Sequence, residues 1–272
     1  MDWTSLLPIA GALLAIGAFA GILAGLLGVG GGIVLVPAFL YSFRALGFDG
    51  PEVMQLCVAT SLATVVVTSW RSAASHNKKG AVDWDILRAW APGLVLGAAL
   101  GVLTAAQLGS GALQLIFGGL AALVGLYMAL GQSSWRLGPV LPVGWGGRAA
   151  AGVMGLLSVL MGIGGGSFGV PTMTLFGVPI HRAVATAAGF GVAIAAPAVL
   201  GFLFIEVSGP VPPFTVGAIN LVGFAIIVPM TVLTAPYGAR IAHALPAAQL
   251  KRVFGVFLLL VAGNMVLEVL AP

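Results

Sequence analysis

The sequence predicts an all-α polytopic membrane protein made of two inverted-topology repeats. Each repeat is expected to be a glycine-tipped, broken-helix hairpin followed by three transmembrane helices. Three observations carry this prediction. The 272 residues are 60% hydrophobic and only 7% charged, whereas soluble domains carry about 25% charged residues. The run Gly28-Val29-Gly30-Gly31-Gly32-Ile33-Val34-Leu35-Val36-Pro37 returns 134 residues later as Gly162-Ile163-Gly164-Gly165-Gly166-Ser167-Phe168-Gly169-Val170-Pro171. The basic residues separate onto one side of a membrane only if each glycine run is the tip of a hairpin.

Glycine in a helix interior costs about 1 kcal/mol relative to alanine, so four glycines within one turn break the helix. In hydrocarbon, broken backbone survives only where protein buries it or it lines a cavity. Matching interruptions in two halves of a chain point to a binding site. Apolar stretches run over roughly 6–27, 29–42, 52–75, 84–106, 110–131, 148–161, 165–177, 181–205, 213–236 and 248–270. Several reach the ~20 residues that cross about 30 Å of hydrocarbon. The stretches 29–42, 148–161 and 165–177 are shorter and flank the glycine runs, as the arms of hairpins would.

The chain reads as one membrane domain, 1–272, with repeat one at 1–131, a linker at 132–147 and repeat two at 148–272. Pro139, Pro142, Gly144, Gly146 and Gly147 mark the linker. Beyond the glycines, Ala59-Thr60-Ser61 matches Ala185-Thr186-Ala187, and Pro92 to Met128 matches Pro229 to Met265 without a gap. Gly17-x3-Gly21-x3-Gly25 and Gly93-x3-Gly97-x3-Gly101 set small residues on one helix face, which permits close helix approach. Packing within the protomer is the expected use, with a homodimer interface as the alternative.

Charge decides the topology. If each glycine run lay inside a continuous span, the 11 Lys and Arg would divide almost evenly between the two sides. With the runs as hairpin tips, one side holds only Arg44, and the other holds Arg71, Lys78, Lys79, Arg88, Arg136, Arg148, Arg182, Arg240, Lys251 and Arg252. Cytoplasmic loops carry the excess of Lys and Arg. Both termini are therefore expected outside, in a multi-pass protein of the inner (cytoplasmic) membrane.

Other classes find little support. The pI of 9.7 rests on few charges, and no basic stripe interleaves with aromatics, so nucleic acid is not an expected partner. The single Cys57 rules out an intrachain disulfide. Ala18-Phe19-Ala20 resembles a signal-peptidase site, but Asp2 stands where a positive n-region belongs, so the segment is kept in the fold. No Walker sequence occurs. His76, His181 and His243 are dispersed and no His-Glu-x-x-His run is present, so neither an enzyme nor a metal or other cofactor is expected.

The stretch from Gly25 to Pro37, the Ala59-Thr60-Ser61 step and their second-half echoes resemble the TauE/SafE sulfite exporter family, also called the toluene sulfonate uptake permease superfamily. The resemblance covers nearly the whole chain. It implies a secondary transporter of a small sulfur-containing anion such as sulfite, a sulfonate or sulfoacetate, working by alternating access. An anion channel on the same fold, or a membrane scaffold or assembly protein without transport activity, is the alternative. Ser61 and Ile33 of the first half are replaced by Ala187 and Ser167 in the second, so the two half-sites are chemically unequal.

Candidate substrate-binding residues follow from the chemistry of an oxyanion. Gly28, Gly30, Gly31 and Gly32, with Gly162, Gly164, Gly165 and Gly166, free backbone N–H groups beside a helix that restarts with its positive end. Close packing of the hairpin tips is the other use such glycines have. Thr60, Ser61, Thr186 and Ser167 carry hydroxyls near the breaks, although such groups also bond to their own helix carbonyls. Arg71, His76, His181, Arg182, Arg240 and His243 lie near membrane ends, where cations snorkel by default. Arg182 is the first choice among them for a part in binding because it precedes Thr186. The expected partners are the anion and the lipid bilayer.

Overall fold

The computed structural model describes residues 3–27, 31–131, 135–244 and 247–270, with side chains described for all of these but 3–10, 27, 239, 242–244, 247–251, 253 and 254. Among the described residues the ten apolar stretches become ten helices. The first half supplies α1 (Trp3–Leu27), α2 (Gly32–Ala45), α3 (Val53–Lys78), α4 (Trp84–Gln107) and α5 (Ser110–Leu130). The second supplies α6 (Gly144–Leu160), α7 (Gly166–Leu175), α8 (Ile180–Phe202), α9 (Leu221–Ala244) and α10 (Ala247–Leu270). Among the residues with described side chains, five helices, α3, α4, α5, α8 and α9, are long and apolar enough to cross a membrane. The chain is a polytopic helical membrane protein.

Helix pairing repeats between the halves. The main pairs are α1 with α9, α4 with α6, α5 with α10 and α3 with α8, followed by α4 with α8, α3 with α9, α2 with α3 and α7 with α8. Exchanging each helix for its counterpart five places along leaves this set unchanged. In the α4–α6 pair, Gly93 faces Arg148 and Ala151, Gly97 faces Gly152, and Gly101 faces Leu156 and Val159. In the α1–α9 pair, Gly17 faces Ile227 and Met230, and Gly21 faces Thr231 and Thr234. Both small-residue faces pack inside the protomer, and any Cβ there would press on the partner backbone. With lipid outside, close van der Waals packing is what holds such helices together.

Hydrogen bonds gather the connections at two ends. At one, Ser110 N donates to Pro51 O (2.8 Å), joining the α4–α5 and α2–α3 connections. Ser208 N donates there to a Glu52 carboxylate oxygen (2.5 Å), bringing in the α8–α9 connection. Arg44 pairs with Glu268 at 2.8 Å, tying α2 to the end of α10. At the other end, Leu137 N donates to Leu175 O (2.8 Å) and Trp90 Nε1 to Pro142 O (3.1 Å). These bonds join the α5–α6 connection to the end of α7 and to α4.

Two boundaries differ from the sequence expectation. The stretch 213–236 was expected to be helical, but α9 covers Leu221–Ala244. Pro212 and Pro213 cannot donate ladder bonds and Gly217 takes φ +57°, so 215–220 folds instead as a two-residue antiparallel pair, β1 (Thr215–Val216) with β2 (Ile219–Asn220). Hydropathy does not register this. Past Pro236 the helix continues, as membrane helices allow. Helix α6 starts at Gly144, inside the expected 132–147 linker.

Candidate functional site at the glycine breaks

The second glycine run is a capped helix end inside the protein. Gly162 has φ +64°, which a side chain strains against. Its N–H donates to Val159 O and that of Ile163 to Ser158 O, both at 2.9 Å. These are the two bonds of a Schellman cap, so the carbonyls that α6 leaves open at its end are partly satisfied by its own next residues. Gly164, Gly165 and Gly166 follow, all buried, and α7 begins at Gly166. In the first run, Gly31 has φ +77° and precedes α2 directly. Gly28 and Gly30 lie outside the described residues.

The two breaks meet. A Cβ on Gly32 would lie 2.9 Å from Ile163 Cα, and one on Gly162 would lie 3.0 Å from Val58 Cα. Ser61 Oγ, fully buried on α3, donates to Gly162 O at 2.7 Å and lies 3.4 Å from Gly32 O. One hydroxyl therefore spans both halves at their centre. A turn or two further along α3, a Cβ on Gly191 of α8 would lie 2.9 Å from Ser69 Cβ and 3.6 Å from the Gly165 nitrogen. Phe190, stacked on Trp90 at 5.9 Å, fills the space against Gly165. The glycines thus allow backbone to approach backbone at both breaks.

Beside this junction stand two orphaned hydroxyls. Ser167, in the first turn of α7, is 3% exposed, and Ser158, in the last turn of α6, is fully buried; neither Oγ has a hydrogen-bond partner within the protein. An unpaired buried polar group costs about 1–3 kcal/mol. The first-turn N–H groups of α7 have no intrahelical acceptor. Donor capacity and the positive end of a helix thus coincide at one buried place.

The threonines have structural partners of a matched kind. Thr60 Oγ1 accepts from Asn220 N at 3.0 Å, and Thr186 Oγ1 accepts from Asp83 N at 2.9 Å. Asn220 in turn accepts from Gly223 N (2.8 Å) and Asp83 from Ile86 N (3.1 Å), so each is the cap of its helix, α9 or α4. Each threonine therefore holds the capping residue of a helix in the other half. Arg182 lies 3.8 Å from Asp83 with its side chain 56% exposed. Its partner is this cap and not a glycine-run peptide.

Sequence reasoning missed Ser158, Thr64, Thr68 and Ser69, all buried. Thr64 and Thr68 sit at i+4 and i+8 from Thr60, a helical spacing that a search for the glycine motif alone passes over. Both donate to carbonyls one turn back, at 3.1 Å.

Paired broken helices meeting inside a polytopic helical protein define the architecture of a membrane transporter. Comparison with known proteins agrees. The chain belongs to the Sulfite exporter TauE/SafE family, whose model matches residues 13–265. A "Probable membrane transporter protein" of Haemophilus influenzae is 31% identical over 256 residues, covering 94% of this chain and 97% of the relative. The "Probable membrane transporter protein YunE" of Bacillus subtilis is 24% identical over 276 residues, with the same coverage. A probable membrane transporter protein of Methanocaldococcus jannaschii is 29% identical over 196 residues, 69% of each chain. No solved structure matches the chain.

Proposed function

We propose that the protein is a secondary transporter that moves a small sulfur-containing anion, such as sulfite or a sulfonate, across the cytoplasmic membrane by alternating access. The observation that carries this reading is the orphaned Ser167 hydroxyl, buried in the first turn of α7 where the two glycine breaks meet. An oxyanion at the start of α7 takes hydrogen bonds from Ser167 and from the first-turn peptides, and the helix end offers about half an elementary positive charge. Hydrogen bonds to a charged group contribute about 1.5–3 kcal/mol each, and several of them acting with the helix end offset part of the cost of desolvating a small anion. The glycines keep the site narrow. Sulfur enters the proposal through the family, which is named for sulfite export.

The halves are proposed to be inverted in the membrane, with both termini outside and the 76–83 segment in the cytoplasm. The exchange-symmetric helix pairing and the one-to-ten division of basic residues support this arrangement. Alternation then consists of the two hairpins parting and closing about α3 and α8. The test is flux into liposomes holding the purified protein, with sulfite, sulfoacetate, methanesulfonate and chloride offered in turn. Saturable flux of at least one sulfur anion, with chloride far slower, is expected. Flux of every anion at the rate of protein-free liposomes contradicts the reading.

A further inference from the structure

A second polar feature lies away from the junction. Between the C-terminal ends of α1 and α3 and the second half of α9 is a cavity of about 210 Å³, lined by Gly25, Arg71, Ser72, Ser75, His76 and Lys78 together with Ala235 and Pro236. A water occupies about 30 Å³ of liquid, so the space admits a small oxyanion with several waters. Its charged lining is entirely basic. Among the described residues neither Arg71 nor Lys78 has a carboxylate within ion-pair distance.

The cavity has a counterpart in the other half that is chemically its opposite. The offset that pairs Ala59-Thr60-Ser61 with Ala185-Thr186-Ala187 places Pro197, Gly201 and Phe204 where Arg71, Ser75 and Lys78 stand. Those three residues line a cavity of about 380 Å³ with Val102 and Ala99, and Ala99 is the match of Pro236 in the Pro92–Pro229 alignment. The two cavities share four matched lining positions, and the sequence makes one of them basic. The difference accords with the one-to-ten division of basic residues between the two sides.

A row of polar side chains leads from the basic cavity along α3 toward the junction. Ser61, Thr64, Thr68, Arg71, Ser75 and Lys78 follow one another at steps of three or four, which keeps them on one face of α3. The matching positions of α8 and the turn after it read Ala187, Phe190, Ile194, Pro197, Gly201 and Phe204, with no polar side chain. A polar track thus runs from the cavity to the hydroxyl that bridges the two glycine breaks, in the first half alone.

We propose that the cavity between α1, α3 and α9 binds an oxyanion through Arg71 and Lys78, with Ser72 and Ser75 as further hydrogen-bond donors, and loads it onto the α3 track. This deepens the transport reading given above and rests on it for the identity of the anion. Two cations a helical heptad apart on one face, about 10 Å along the axis, leave room for an anion between them. A sulfur oxyanion and the phosphate of a lipid headgroup share this chemistry, and the test separates them.

The experiment uses the full chain in nanodiscs of phosphatidylcholine, with sulfite as the probe and its dissociation constant read by calorimetry. The Arg71→Gln/Lys78→Gln protein is expected to bind sulfite at least tenfold more weakly at low salt. The charge-keeping Arg71→Lys/Lys78→Arg protein is expected to bind it nearly as the parent does. This contrast shows that lost affinity follows charge and not misfolding. In oriented liposomes the Gln pair should raise the apparent KM for anion offered at the α3 C-terminal face more than at the opposite face. An unchanged dissociation constant overturns the proposal and leaves the transport reading standing if flux persists. If sulfite affinity is unchanged but adding phosphatidylglycerol stabilises only proteins that keep both cations, the cavity is a lipid site and the proposal falls. If sulfite binding depends on Arg71 and Lys78 but no sulfur anion is carried, the site stands and the transport reading falls.

Discussion

At the scale of single residues, Ser167 and the two threonines differ in the partners that their hydroxyls have. Ser167 holds a buried hydroxyl with no partner in the protein, whereas Thr60 and Thr186 each accept a helix-cap N–H. Ser167→Ala is therefore expected to raise the KM for anion flux about tenfold, the effect of about 1.4 kcal/mol. Its unfolding temperature should stay unchanged or rise, because removing an unpaired buried hydroxyl relieves its desolvation. Flux kinetics and thermal unfolding of the same preparation check both. Normal flux with lowered stability contradicts a binding role. A valine at Gly165 is a poorer probe, since its Cβ would press on Phe190; lost activity there reports packing. Ser167 was legible in the sequence because it follows the second glycine run. Ser158 was not, because a serine in an apolar helix looks the same whether or not it has a partner.

At the scale of elements, the ten helices were legible from hydropathy, since a bilayer demands apolar length and little else. The start of α9 was not, because Pro212, Pro213 and Gly217 act through backbone geometry that hydropathy does not measure. The caps were also hidden. The N–H groups of the capping residues Asp83 and Asn220 are held by threonines more than a hundred residues away, which local sequence does not reveal. Sequence reasoning placed Thr60 and Thr186 with the substrate; the structure gives their acceptor capacity to these caps. Thr60→Val and Thr186→Val should each lower stability by about 1 kcal/mol, the worth of a typical hydrogen bond. The two losses should be similar, because the two bonds are counterparts. Thermal unfolding of the single variants measures this, and a loss confined to one of them would break the correspondence between the halves.

At the scale of the whole molecule, the duplication supplies two equivalent frames that the sequence then furnishes differently. Ser61 faces Ala187 in the alignment, and the basic cavity faces an apolar one. The two halves therefore share their helix pairing and differ in the polarity of matching positions. The inverted arrangement is tested by labelling single cysteines in a Cys57→Ser background. Positions in 76–83 should react only from the cytoplasm and a cysteine added after Pro272 only from outside; reaction of both from one side contradicts the topology. Carriage of a sulfur anion by alternating access is the central claim, and counterflow tests it most directly. Liposomes holding the protein are loaded with unlabelled sulfite and diluted into a trace of labelled sulfite. The account predicts a transient accumulation of label above its equilibrium level, absent when the vesicles are loaded with chloride. Label that only equilibrates passively, at a rate proportional to its concentration and indifferent to the internal anion, would contradict the carrier.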